Sequence, residues 1–466
     1  MGRAAVHEIY HAALKAADPY ITVKKAVYLE ENRLIVNGTD YDLSNFNKVM
    51  VIGAGKGTAS MAQAVEDILG ERIDEGVIIV KYNHTRHLQK IRQVEASHPL
   101  PDLAGVRGTD EILEMLKTVD DKTLIICLLS GGSSALLVSP AEGLALEDKQ
   151  TTTNLLLKCG ATIEELNTVR KHLSKVKGGK LAKMAYPSTV LTLVLSDVIG
   201  DRLDVIASGP TVPDNSTFTD ALNIVTNLIE KCSLKDMFPE RVLDHLGSGV
   251  NGKAAETPKE GEPCFNSTSI FIVGSLRQAI AAAKWVAEEM GFETRIVTDR
   301  LQGEAKEAAI YLADIARKAK KSRKAGKPLC LISGGETTVN VIGKGKGGRN
   351  QELALAFAIE IKGIEGVTML SAGTDGTDGP TDAAGAVVDV NTVKLANRAG
   401  LDSQAYLADN DSYTFFERLD ALTGSNHHIK TGPTGTNVMD IQLILVSDPT
   451  ACGNALVLGN EMVKNE

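Results

Sequence analysis

The stretch KVMVIGAGKGTASMAQAVEDIL, residues 48–69, decides the fold class. Lys48 apart, its opening run to Ile52 is apolar, as in a strand buried on both faces. Gly53-Ala54-Gly55-Lys56-Gly57 then makes a turn, and residues 58–69 carry helical periodicity. Strand, tight loop and helix in that order form the repeating unit of a parallel α/β sheet. Working outward, further strands are predicted over 76–80, 123–129, 189–195, 269–273, 294–298, 328–332, 367–371 and 440–446. Helices are expected over 277–290, 303–317 and 351–361; in the last, Leu353, Phe357 and Ile361 share one face. The rhythm predicts mostly parallel sheets covered on both faces.

A chain of 466 residues exceeds the size at which single cores stop growing, so two domains are expected. Residues 247–267 (GSGVNGKAAETPKEGEPCFNS) are rich in Gly, Pro and charge and break the strand–helix rhythm. They are taken as a linker between an N-terminal domain, 1–246, and a C-terminal domain, 268–466, whose last segment could pack back on the first.

Forty-three glycines against nine Phe, nine Tyr and one Trp fit a fold whose backbone loops approach ligands closely. The net charge of −9 argues against a nucleic-acid partner, which needs a basic face. The basic run 317–327 reads as a solvated helix end and loop. Six scattered cysteines, with no C-x-x-C pair, suggest neither zinc nor a disulfide framework. No apolar run approaches a membrane span, and the start of the chain lacks a signal-peptide core, so the expected location is the cytoplasm.

In open parallel sheets ligands bind beyond the carboxyl ends of strands, so the residues following each run matter most. They are Gly53, Gly55, Lys56 and Gly57; Ser130, Gly131, Gly132, Ser133 and Ser134; Ser196 and Asp197; Gly334, Gly335 and Glu336; and Asp375 with Asp378. Small residues there expose backbone N–H groups to an anion, or simply make tight turns. GAGKGT is neither a phosphate-binding Walker loop nor a complete dinucleotide fingerprint, since Gly57 and Thr58 stand at the deciding positions. SGGSSA lacks the last glycine of a nucleophile elbow, so Ser133 and Ser134 are read as hydrogen-bonding hydroxyls. Gly347 and Gly348 lead into a helix with Arg349 at its entrance, suited to bridging phosphate oxygens or else a surface arginine. Asp375, Asp378 and Asp382 either hold Mg²⁺ through water or serve as turn residues. Positive side chains, anion-facing backbone and a carboxylate are the parts phosphoryl transfer requires.

With those residues in view, the chain resembles the two-domain glycerate 2-kinases, the family carrying the MOFRL motif. The matching segments are VIGAGKG (51–57), SGGSSALL (130–137), LNTVRKHLSKVKGGKLA (166–182), LSDVIGDRLDVIASGPTVPD (195–214), ISGGETTV (332–339), GKGGRNQELAL (345–355) and AGTDGTDGPTDAAGA (372–386). The resemblance implies an α/β fold: a Rossmann-like N-terminal domain, a smaller α/β C-terminal domain and an active site in the cleft between them. It implies ATP- and Mg²⁺-dependent phosphorylation of D-glycerate to 2-phosphoglycerate. Lys56 and Arg349 become the catalytic cations, Asp375 a catalytic or metal-associated carboxylate, and Asp197 and the 130–134 loop substrate contacts. The glycines at 53, 55, 57, 334, 335, 347 and 348, with Glu336, would face phosphate or nucleotide. Asn167, Arg170, Lys171 and His172 belong to the site or form a basic helix face. An oxidoreductase acting on hydroxypyruvate and a non-catalytic anion-binding regulator stay open beside the kinase. A nicotinamide enzyme would need an acid about 20 residues past the glycine loop, and position 74 holds Asp74, although the missing third glycine and Lys56 count against it.

Overall fold

The computed structural model describes residues 2–233, 237–322 and 327–447; the final segment, with Cys452 and the expected return to the first domain, lies outside them. The strands in chain order are β1 (Val27–Glu30), β2 (Arg33–Val36), β3 (Thr39–Asp42), β4 (Lys48–Ala54), β5 (Glu75–Lys81) and β6 (Ile91–Ala96). There follow β7 (Thr123–Leu129), β8 (Thr189–Leu195), β9 (Thr268–Gly274), β10 (Glu293–Leu301) and β11 (Leu329–Gly335). β12 (Val367–Gly373), β13 (Gly385–Asp389), β14 (His428–Ile429) and β15 (Asp440–Val446) complete the set.

Two units result: residues 19–274, and residues 2–18 together with 275 onward. The first is built on a sheet ordered β6-β5-β4-β7-β8-β9, in which every pair is parallel. All seven residues of β7 are buried, and Met50, Ile52, Ile79, Ile125 and Cys127 form the core on one face. Each such side chain contributes roughly 1.5–3 kcal/mol on burial, which is why the uninterrupted apolar runs become central strands. β1, β2 and β3 make a separate small antiparallel sheet.

The second unit departs from expectation. Its sheet, β10-β11-β15-β12-β13-β14, is mixed: only β10 and β11 run parallel, and β15 inserts antiparallel between β11 and β12. Phe357, Phe415 and Phe416 fill its core beside Leu331 and Ile444. The boundary also moves. β9 pairs with β8 as the sixth strand of the first sheet, so the first unit runs through the supposed linker to residue 274. The helix Gly2–Ala16 belongs to the second unit, where it packs on the helix Leu276–Glu289, β12 and β15. Tyr10 anchors it, donating its hydroxyl to Gly373 O at 2.6 Å.

Among the described residues no helix is long and apolar enough to cross a membrane. In the basic run, Arg317 is tied to Asp314 and Glu360 at the end of the helix Ala305–Ser322, while residues 323–326 lie outside the described residues.

Candidate active site

Strand order in the first unit fixes where a ligand belongs. From β4 the chain winds outward through β5 to β6, then crosses back to β7 on the other side. The carboxyl ends of β4 and β7 therefore flank the switch point, the crevice where open α/β sheets bind ligands. The two loops that meet there are 53–57 and 130–134. Lys56 N donates to Gly131 O at 2.8 Å, Gly57 N to Ser130 Oγ at 3.0 Å, and Ser130 N to Ala54 O at 3.2 Å.

That junction uses up two hydroxyls expected to face substrate. Ser133 Oγ donates to Ala54 O at 2.5 Å and also contacts Ser130 O, and Ser130 Oγ lies 2.9 Å from Thr58 Oγ1. Both serines are buried and serve as ties between the loops. Gly55, at φ +141°, is required by the same tie, because a Cβ there would collide with Ser130. Ser134, Lys56 and Asp197 remain partly accessible. Lys56 Cγ and the His98 ring both lie against Gly132. Burial first, then Lys56, Lys81 and His84, push His98 down to about 4, so it stays neutral.

Below Ser134 lies a buried polar group. Lys177 Nζ is 2.7 Å from Ser134 O, 3.2 Å from Ser134 Oγ and 3.5 Å from Ala207 O. Ser208 Oγ is 2.9 Å from Ser134 Oγ and donates to Asn167 Oδ1 at 3.0 Å. From the helix Ile163–His172, Asn167 hydrogen-bonds to this group and Arg170 acts on Lys177 electrostatically. Lys171 pairs with Asp214 at 3.1 Å and His172 with Glu256 at 2.8 Å, which makes them structural ties. Lys177 and Ser208 escaped sequence reasoning because no strand ends beside them.

In the second unit the corresponding place is the carboxyl ends of β11 and β12. Asp440, the first residue of β15, is in register with Gly335 on one side and Gly373 on the other. Arg349, at the start of the helix Arg349–Glu360, grips Asp440 with Nε and Nη2, while Nη1 lies 2.5 Å from Glu336 Oε1. Burial raises the Asp440 carboxyl to about 6, Arg349 opposing and Asp378 adding. The guanidinium stays charged throughout. Asp440 was not singled out in the sequence; an acid opening a largely apolar strand is the signal that could have found it.

The aspartates divide by role. Asp378 is buried and caps the helix, accepting Asn350 N at 3.1 Å and Gln351 N at 2.9 Å. A Cβ at Gly348 would collide with it, which explains that glycine without any ligand. The helix start is thus occupied by the protein's own carboxylate rather than held open for phosphate. Asp382 is engaged by Tyr413 at 2.8 Å and Lys430 at 2.9 Å. Asp375 is half-buried at the turn after β12, where Oδ1 accepts Thr377 N at 3.1 Å. Among the described residues no group of three or more His, Cys, Asp or Glu is placed to hold a metal. A single loop carboxylate nevertheless fits Mg²⁺, which commonly takes one or two carboxylates and completes its shell with water and substrate phosphate. Asp74 accepts Val49 N at 2.7 Å at the amino ends of β4 and β5, the wrong end of the sheet for a nucleotide ribose.

Residues 5–247 match a domain family of unknown function, DUF4147, and residues 329–440 match the MOFRL family. A glycerate 2-kinase of Pyrococcus horikoshii is 42% identical over 93% of this chain and 95% of its own. A D-glycerate 2-kinase of Thermotoga maritima is 44% identical over 86% of this chain and 91% of its own. The crystal structure of a glycerate kinase from Thermotoga maritima superposes with a TM-score of 0.82 at 41% identity, covering 95% of this chain and 98% of that one.

Proposed function

Because this chain belongs to the glycerate 2-kinase family, we propose that it transfers the γ-phosphoryl group of ATP to the 2-hydroxyl of D-glycerate. The observation that carries the reading is the junction of the 53–57 and 130–134 loops at the switch point, with Lys56 on one and Ser134 on the other. Asp197, just past the end of the neighbouring strand β8, and the partly accessible backbone at Gly132 and Ser134 orient glycerate, and Ser134 supplies the side-chain contact. Lys56 offsets charge on the transferring group. Arg349 offers phosphate oxygens Nη1, the nitrogen that Glu336 now covers, while Asp440 keeps the fork aimed. Phosphate oxygens compete with the half-exposed Glu336 for that nitrogen and leave the buried Asp440 in place. Magnesium, held by Asp375 and water, would neutralise the nucleotide phosphates. Catalysis by this chain is then positioning plus preorganised charge.

The displaced position of Asp74 speaks against a nicotinamide enzyme. The test is a coupled ADP-release assay with glycerate and Mg-ATP, run beside a thermal-shift comparison of Mg-ATP with NADH. Glycerate-dependent ADP release is expected. Stabilisation by NADH alone, with no ADP release, would replace the reading with an oxidoreductase.

A further inference from the structure

The polar group beneath Ser134 carries more hydrogen-bond donors than the chain itself uses. Lys177, 2% exposed, gives all three ammonium hydrogens, to Ser134 O, Ser134 Oγ and Ala207 O. An ammonium can only donate, so the direction of the hydrogen bonds beyond it is set. Ser134 Oγ accepts from Lys177 and donates to Ser208 Oγ, which donates to Asn167 Oδ1. The Asn167 amide is thereby held by its oxygen. Its Nδ2, in a residue 5% exposed, has no hydrogen-bond partner among the described residues. A buried donor left unmet is costly, and one that persists calls for an occupant. The backbone here is strained as well: Ala207 and Ser208 sit at φ 53° and 60°, a left-handed geometry that neither residue type favours.

Arg170 stands three residues beyond Asn167 on the helix Ile163–His172, on the same face. It is half-buried, and among the described residues no acceptor meets any of its five donors. Its neighbours in the last turn differ, since Lys171 has Asp214 and His172 has Glu256. Lys149, 7% exposed, has one acceptor among the described residues, Leu173 O at the end of the same helix. No acid faces these cations. Burial and Arg170 both disfavour the charge on Lys149 and on Lys177, Lys180 adds at the first and Lys149 at the second, and burial alone lowers Arg170. A solvated helix end accounts for basic residues turned outward, but not for these. Unused amide and guanidinium donors beside buried, uncompensated cations are the makings of an anion site.

We propose that Arg170 and Asn167 Nδ2 bind the carboxylate of the substrate beside Ser134. The inference rests on the kinase reading above and names what the site selects, a hydroxy acid rather than a polyol. The guanidinium fork suits a carboxylate, and the amide adds a donor fixed in place by Ser208. Lys149 and Lys177 add positive potential without touching substrate. The carboxylate keeps its charge through the transfer, so these residues hold the ground state and the transition state alike.

The test compares D-glycerate with its amide, glyceramide, which keeps both hydroxyls and lacks the charge. The wild type should favour glycerate in kcat/KM by about 10²-fold or more. Arg170→Met should raise KM for glycerate by roughly 10²-fold, with kcat changed far less and the amide unaffected, so the preference collapses. Asn167→Asp keeps the acceptor for Ser208 Oγ and sets a carboxylate oxygen against the substrate. It should raise KM for glycerate about tenfold or more and again spare the amide. An arginine serving the fold alone predicts a lowered melting temperature in Arg170→Met, with both substrates affected alike. That parallel loss, or wild-type KM for glycerate in Asn167→Asp, overturns the proposal and leaves the kinase reading standing. A rise confined to KM for ATP overturns it too, since the donors would then serve a phosphate. Should Arg170→Met fail to fold, Asn167→Asp decides alone. Absence of glycerate turnover in the wild type overturns the proposal together with the kinase reading.

Discussion

Arg349 holds both carboxylate oxygens of Asp440, Nε to Oδ2 at 2.6 Å and Nη2 to Oδ1 at 2.9 Å, across 91 residues of chain. Asp440 is fully buried between the ends of β11 and β12, so the pair fixes the guanidinium plane and leaves one nitrogen, Nη1, on the outer side. A forked cation with two of its three nitrogens anchored loses little freedom when a phosphate oxygen meets the third.

The same relationship makes Arg349→Lys far from conservative. An ammonium can meet Asp440 or the phosphoryl group, and lacks the plane that does both. Turnover should fall by about 10²-fold or more, on the scale of one lost preorganised donor, with KM for glycerate changed little. Steady-state kinetics with a thermal melt as the folding check decides it. A lysine variant at wild-type turnover would make Arg349 a bystander.

Asp375 and Asp378 lie three residues apart and should respond differently. Asp378→Ala removes the cap from the helix Arg349–Glu360 and should cost about 1–2 kcal/mol in urea unfolding. Asp375→Asn should leave stability nearly unchanged and raise the magnesium concentration needed for half-maximal activity. A flat magnesium response with lowered turnover would move Asp375 from metal to substrate.

Much of the first unit was legible because its strands are buried on both faces. β7 and β8 could be bounded to the residue from largely apolar, β-branched runs. β6 was invisible: IRQVEA is an edge strand with polar positions, and an edge strand needs no apolar run. The direction of β15 was equally unreadable, since an apolar run looks the same whether its neighbours are parallel or antiparallel. For that reason the second sheet was expected parallel, and Asp440 was left without a role although its strand was bounded correctly. The glycine loops were found, but not their purpose. Gly55 and Gly348 are explained by Ser130 and Asp378, contacts that exist only once distant segments meet. Lys56 and Ser134 could be singled out for the opposite reason: each lies in the loop after a strand end, the position that the parallel fold itself marks.

Stability should rise with pH above neutrality. Lys149 is buried, donates to Leu173 O at 3.0 Å, and is pulled down to about 7 by burial, with Lys180 and Arg170 adding. In the unfolded chain it titrates near ~10.4. Between these values the unfolded state binds a proton that the folded state does not, so unfolding becomes harder as pH rises through the window. Below about 7 both states are protonated and the slope from this group vanishes. Lys180, pulled down to about 8 by burial, acts in the same direction. Urea unfolding of the 19–274 unit's signal at about pH 7 and about pH 9.5 should show the gain, on the order of 1–3 kcal/mol, and Lys149→Met should reduce it. A stability that falls over this range in the wild type would mean Lys149 is charged in the folded state.

The product should be 2-phosphoglycerate. Glycerate offers two hydroxyls, and the preference for the 2-position comes with family membership. A physical reason lies in the loop after β7. Its backbone is tied to the β4 loop through Ser130 and Ser133. A carboxylate seated on that backbone leaves the C2 oxygen one torsion, about C1–C2, while the C3 oxygen has a second. The constrained hydroxyl reaches in-line geometry at lower entropic cost. Coupling the reaction to enolase without phosphoglycerate mutase reads the isomer directly, because enolase takes the 2-phosphate. A signal that waits for added mutase would give the 3-phosphate instead. The carboxylate would then have to seat away from the 130–134 loop, with the terminal hydroxyl facing Ser134.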